Sequence, residues 1–341
     1  MKNSPSKQSA IVSAVALAGL YFISPLVCAA QKVGDQIGAE NAGLRKLLTN
    51  SMLPTERTNE LLTQLRSIDE ASQSGNLFQA MYQLQHVRIE LMTEAYLKSK
   101  SEVEKGGAAA FEVEWKRLGR ELTAREKQLV IRGNAQLPAA VRALAESSLT
   151  QVQPYYQSGL LYGRNTTIGD GLYYLGLARA NLDFALFCQQ LKFEQPKPAP
   201  KLRPIQVPLE ALEAAAIKAF QDPSNATKQR RFIEINSTLK MARELQAERR
   251  YAGALKTYLD ALLAFGTVKM ALPNAETTTQ LRKRAEELRA RLTTAASDQT
   301  IGLIYLELAL SAKSEAEMKR AAVIVEQVVP GYLDAQGETI K

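Results

Sequence analysis

The sequence predicts an all-α protein of antiparallel helical hairpins in a repeat-like array, divisible into two helical domains. Three observations predict it. Ala, Leu, Glu, Lys, Arg and Gln dominate the 341 residues, and these are strong helix formers. Apolar side chains return every three or four positions through most of the chain, the spacing of one helix face. β-branched residues seldom alternate with polar ones, so no stretch reads as a half-buried strand. The hydrophobic share of 46% and charged share of 23% are those of a globular protein.

The first element is a processing signal. Lys2 and Lys7 precede an apolar run over residues 10–23, followed by Pro25 and by Val27-Cys28-Ala29-Ala30, small residues of the kind a signal peptidase needs. A run of about 14 residues is short of the roughly 20 that a spanning helix requires, so residues 1–30 are expected to be removed and the protein to be periplasmic or secreted. An uncleaved anchor and a lipid attached through Cys28 are the alternatives. Removal takes Lys2 and Lys7 and no acid, which lowers the net charge from +8 to +6. It also leaves Cys188 as the single cysteine, so packing and not a disulfide has to hold the helices.

The N-terminal helical domain is placed at 31–194. Residues 31–43 contain glycines and are expected to be mobile. A helical hairpin is expected over 55–98, divided at Asn76 after Ser74-Gly75, with Leu61, Leu65, Ile68 and Ala71 on one arm and Leu77, Ala80, Leu84 and Val87 on the other. Residues 102–129 resume helical spacing with Phe111, Trp115, Leu118 and Leu122, weakened by Gly106-Gly107. A further helix is expected to follow Pro138 and reach about residue 162, since proline is tolerated in a first turn. Residues 163–167 read as a loop. The stretch 172–193 is apolar on nearly every face and is expected to be the most buried helix of this half.

Five prolines at 196, 198, 200, 204 and 208 remove backbone donors and favour an extended chain. Residues 195–208 are therefore expected to be a linker, ahead of a C-terminal helical domain at 209–341. Its helices are placed at 209–220, 227–248, 251–265, 275–294, 300–312 and 315–329, and the short connections between them favour antiparallel neighbours.

Residues 235–268 carry a more specific pattern. Met241, Ala242 and Leu245 on one helix, Tyr251 near the turn, and Ala254, Tyr258 and Ala261 on the next place small residues where two helices must touch. The segment resembles a tetratricopeptide repeat, a 34-residue helix-turn-helix unit. Weaker likenesses lie around Ile68 to Val87 and around Met318 to Val328. The resemblance implies a groove that takes another protein or peptide. Its groove-facing first-helix places fall here on Asn236, Leu239, Arg243, Gln246 and Ala247, of which Asn236, Arg243 and Gln246 are the expected partner-binding residues.

No residue pattern points to catalysis, a cofactor or a metal. His86 is the only histidine, so the common metal arrangements and His-based triads lack members. Cys188 lies among apolar residues, where a thiol behaves as a small hydrophobe. Glu112 and Glu114, Glu286 and Glu287, and Glu315 and Glu317 are one or two positions apart; on a helix they point in different directions and read as solvated faces. Gly169-Asp170-Gly171 reads as a helix cap, because no strand precedes it and no Lys-Ser or Lys-Thr follows. The basic runs 228–231 and 282–284 are interspersed with acids, which does not make a nucleic-acid footprint. The expectation is thus a non-enzymatic exported scaffold for protein-protein interaction in the cell envelope or periplasm. A binder of anionic envelope polymer through the basic runs, and an enzyme of unfamiliar type, are the alternative readings.

Overall fold

A computed structural model describes residues 33–51, 53–129, 137–193, 197–220 and 226–336, the side chains of 226–228 excepted. The expected signal segment at 1–30 lies outside them. Every regular element among the described residues is helical, as the sequence predicts.

The first helix, α1 (Val33–Thr49), covers the segment expected to be mobile. Gly34, Gly38 and Gly43 stand in it at a cost of up to about 1 kcal/mol each, yet Val33, Ile37, Asn41, Leu44 and Leu48 form one buried stripe. That stripe packs on α2 (Thr55–Gln73) and α3 (Leu77–Ser99), and burial of the stripe outweighs the propensity loss. α2 and α3 form the expected hairpin, turned at Gly75 with φ +78°, a conformation glycine adopts without steric cost. Two further helices, α4 (Ser101–Lys105) and α5 (Gly107–Glu126), are separated at the Gly106-Gly107 pair.

α6 (Ala139–Asn165) and α7 (Ile168–Gln190) form the tightest helix pair of the molecule. α6 runs through 163–165, which the sequence reads as loop, because Gly163 there is a contact surface. A Cβ added to Gly171 would sit 2.6 Å from the Gly163 Cα and 2.8 Å from the Phe111 ring. The turn closes at Thr167, whose hydroxyl accepts the Asp170 amide at 3.0 Å, so Gly169-Asp170-Gly171 belongs to a helix cap. α7 buries twelve residues, from Gly171 to Cys188, as its unbroken apolarity predicts.

After the proline-rich stretch come α8 (Gln206–Ala219), α9 (Ala226–Ala247), α10 (Tyr251–Lys269), α11 (Ala275–Thr294), α12 (Thr300–Leu310) and α13 (Glu315–Val323). A π-helical turn (Ile324–Val328) joins α13 to α14 (Val329–Gln336), with the Val329 amide bonded to the Ile324 carbonyl. The wider turn lies just ahead of Pro330, which has no N–H to continue an α pattern. α9 and α10 form the hairpin expected over 235–268, with Ala242, Leu245, Ala254, Tyr258 and Ala261 buried.

The described residues pack as one unit. The proline-rich stretch expected to separate two domains instead connects two parts of one body. Ala139, Ala140 and Ala143 of α6 share a buried cluster with Leu255, Leu259, Tyr305 and Val328 from beyond the prolines, and Phe78 and Tyr82 pack against it as well.

Three carboxylates fix this association. The N-cap residues of α3, α6 and α10 make no side-chain cap bond of their own, and in each case an acid from the other half of the chain supplies one. Glu307 of α12 accepts the Gln79 amide at 2.8 Å. Asp298 accepts the Ala139 amide at 2.6 Å, and the Thr300 hydroxyl accepts that of Ala140 at 2.9 Å. Glu146 of α6 accepts the Gly253 amide at 2.8 Å. All three acids are buried; each satisfies an orphan helix donor and meets the positive end of a helix dipole.

Candidate functional site: a polar cleft between α3 and α10

α3 and α10 approach each other mainly through side chains. Both pack on α6, and α12 packs on α3 and α6, so α6 and α12 form a floor between two walls. The space above is a cleft of about 820 Å³, edged by α2, α9 and α13, within the range of ligand-binding clefts.

Helical spacing builds both walls. Gln79, Tyr82 and Gln83 line the cleft at i, i+3 and i+4 on α3, with His86 a turn further along the same face, and Asp260, Ala264 and Thr267 line it at four- and three-residue steps on α10, with the buried Lys256 one turn before them. Asp260 is the hub. Its carboxylate accepts from the Lys256 ammonium at 2.8 Å, from the Tyr305 hydroxyl at 2.9 Å and from the Tyr82 hydroxyl at 3.5 Å. The Lys256 Nζ lies 5.1 Å from the Tyr82 ring centroid, a cation–π distance. Burial, with the nearby Asp260 charge, pushes both phenols well above the ordinary tyrosine range, so they remain donors.

His86 stacks edge-on against Tyr82 with centroids 5.1 Å apart. It is exposed by area. Burial and the Lys256 ammonium pull its pKa below the usual histidine range, so the imidazole is neutral at pH 7. At the foot of the cleft the Gln79 side-chain amide donates to the Ser311 hydroxyl at 2.9 Å. Arg289 donates to Asn76 at 2.9 Å. Burial raises Glu307 to about 7, against the opposing pull of the Gln79 amide, Arg289 and the Phe78 amide.

The rim carries charges of both signs. Arg231, Lys313, Lys319 and Arg320 face Glu70, Asp260 and Glu317. Each acid already has partners: Glu70 the Lys313 ammonium at 3.3 Å, Asp260 the groups above, and Glu317 the Ser314 and Lys313 amides at 2.8 and 2.9 Å. Arg231 has only an exposed i,i+3 pairing with Glu234. Among the described residues Lys319 and Arg320 make no ion pair.

The residues nominated from the repeat resemblance lie elsewhere, on the α8 side of α9. Arg243 makes a two-armed pair with Glu213 of α8, not with Glu244 or Glu248. Gln246 accepts the Ile205 amide at 2.9 Å and lies 3.3 Å from the Gln206 side chain. Leu239 is buried, while Asn236 and Ala247 are exposed. The face is thus partly covered by the chain's own α8.

The remaining candidate residues resolve singly. Cys188 is fully buried and burial pushes its thiol far above the usual range. Glu114 is not on a solvated face: it is 4% exposed, and although burial opposes its ionisation, Arg117, the Tyr96 hydroxyl and Lys100 hold it at about 2. Glu112 pairs with Arg164 at 2.7 Å. Glu286, Glu287, Glu315 and Glu317 are exposed, as are Arg230, Arg231, Arg282, Lys283 and Arg284. No group of three His, Cys, Asp or Glu side chains that could hold a metal, and no helix long and apolar enough to cross a membrane, occurs among the described residues.

Sequence reasoning misses Lys256 and Asp260, although both stand inside the segment that carries the repeat pattern. A charged pair four residues apart in an otherwise apolar helix is the available signal, and it falls on the face beside the one that packs the hairpin.

No family model matches the chain, and no curated protein or solved structure matches it.

Proposed function

We propose that the protein is a non-enzymatic helical scaffold of the periplasm or secreted fraction, and that it binds an extended segment of another protein in the cleft between α3 and α10. The observation that carries this is an open cleft of about 820 Å³ whose walls come from both halves of the chain and present hydroxyls, amides and charges. Such a surface suits a peptide backbone, which alternates donors and acceptors, better than it suits a compact apolar ligand. The groups that could do chemistry are committed to structure: Asp260 to Lys256 and Tyr305, Glu307 to the α3 amides, Cys188 to the core. The α9–α10 hairpin supports a repeat-like relationship, with the binding surface displaced from the α9 face to the far side of α10.

A photo-crosslinking residue placed at Gln83, on the cleft wall, tests this against the same residue at Val113, which is 68% exposed on α5. Polypeptide adducts in the exported fraction are expected from position 83 and not from position 113. Equal labelling at the two positions, or none at 83, refutes the cleft as a protein-binding site.

A further inference from the structure

The charges at the rim select the kind of segment the cleft receives. Three acids and four cations line it, but the acids are all engaged within the chain. Lys319, half-buried on α13, makes no ion pair among the described residues; Arg320 makes none at contact distance but feels the charge of Glu317 one turn earlier, and Arg231 on α9 keeps only a solvent-exposed helix neighbour. An exposed i,i+3 pair is worth a few tenths of a kcal/mol and is easily exchanged. Arg320 is exposed on α13 and, like Lys319, lines the cleft. On the α3 wall the Gln79 side-chain Oε1 finds no donor among the described residues, although the residue is 3% exposed and buried polar atoms ordinarily find a partner.

We infer that the cleft binds an acidic peptide segment, one whose side-chain or terminal carboxylates pair with Lys319, Arg320 and Arg231 while its backbone occupies the amide- and hydroxyl-lined trench. This rests on the cleft being the protein-binding site. Carboxylates match arginine in a two-pronged, directional pairing. A regular polyanion would need a continuous cationic track. The basic run at 282–284 lies on α11, outside the cleft lining, so the three rim cations form an isolated set suited to a few carboxylates.

The test is selection of a displayed library of random dodecapeptides on the full chain, repeated on the double variant Lys319→Gln with Arg320→Gln, and separately on Arg231→Gln. Arg231 and Arg320 are exposed and Lys319 is half-buried at the cleft edge with no ion pair, so the variants are expected to melt within a few degrees of the parent. The inference expects enriched peptides rich in Asp and Glu. Replacing their acids by Asn and Gln should weaken binding at least tenfold, and the double variant should bind the acidic originals at least tenfold more weakly than the parent. Enrichment of neutral or basic peptides, or acidic peptides that bind the double variant undiminished, overturns the acidic preference and leaves a peptide cleft of another specificity. No enrichment over bare matrix, with polyphosphate or an acidic polysaccharide retained instead, overturns the peptide reading itself.

Discussion

The α6–α7 pair and the junction between α3, α12 and α10 are both interiors, yet they are built on opposite principles. The first is apolar and close: Gly159, Gly163 and Gly171 remove side chains so that backbones, the Leu175 side chain and the Phe111 ring can meet. The second is polar: Tyr82, Lys256, Asp260, Tyr305, Glu307 and Gln79 hold helices at a distance through hydrogen bonds. The apolar seam tolerates no added volume and gives one rigid body. A polar seam leaves space, and that space is the cleft. A fold that needs a rigid frame and a receptive surface can divide the two tasks between such seams.

The largest effect expected from breaking the comparison is in the apolar seam. Gly171→Val places a Cβ 2.6 Å from the Gly163 Cα, and backbone cannot yield as a side-chain tip does. A loss of about 3 kcal/mol or more is expected, at the upper end of overpacking costs, read as a lowered denaturation midpoint. A midpoint equal to the parent's would show that α6 and α7 separate easily and that the contrast between seams is false.

The two seams also differ in how far the sequence discloses them. α7 announces itself by apolar residues on every face, the hairpin expected over 55–98 by its spacing and the divide at Ser74-Gly75-Asn76, and the hairpin expected over 235–268 by its spacing of small and apolar residues alone. α1 is hidden because its glycines signal local flexibility, whereas its stripe from Val33 to Leu48 is stabilised by tertiary burial. The polar seam has no local signature at all. Glu307 and Gln79 are 228 positions apart, and Asp298 and Ala139 are 159 apart, so neither residue implies the other. The same long-range caps explain why the prolines do not mark a boundary between bodies: the helices on the two sides of the stretch complete each other's ends, and Pro208 lies within α8. In the site, helical periodicity groups Arg243 and Gln246 on one face of α9, and it carries no sign that α8 folds back onto that face.

pH separates the polar seam from the apolar one. Glu307 titrates at about 7 in the fold, raised from 4.5. The folded state therefore holds a proton that the unfolded chain has already released between those values, and stability falls as pH rises through that window. The cost is fully present above pH 7. Glu307→Gln removes the titration while retaining one acceptor for the α3 amides. The parent is expected to lose on the order of 1 to 3 kcal/mol relative to this variant between pH 4.5 and 7.5, measured by urea denaturation across the range. Parallel stability curves for the two proteins would place Glu307 in contact with water and remove it from the buried seam.

The smallest effect separates the cleft from the α9 face. Arg243 and Glu213 pair with side chains 36% and 28% exposed, a setting in which solvent screens much of the attraction. Arg243→Ala is expected to lower stability by about 1 kcal/mol or less. Its effect on binding discriminates between two surfaces. A partner on the α9 face would have to displace Glu213 from the guanidinium, and loss of a charged hydrogen bond to that partner would weaken capture by about 1 to 3 kcal/mol. A partner held in the cleft would be bound by this variant as by the parent, because Arg243 points toward α8 and is absent from the cleft lining. Measured with the polypeptide recovered by crosslinking at Gln83, unchanged affinity is the outcome expected here. A tenfold or greater loss in a variant that melts within a few degrees of the parent would return the binding surface to α9 and make the cleft a polar interior without a partner.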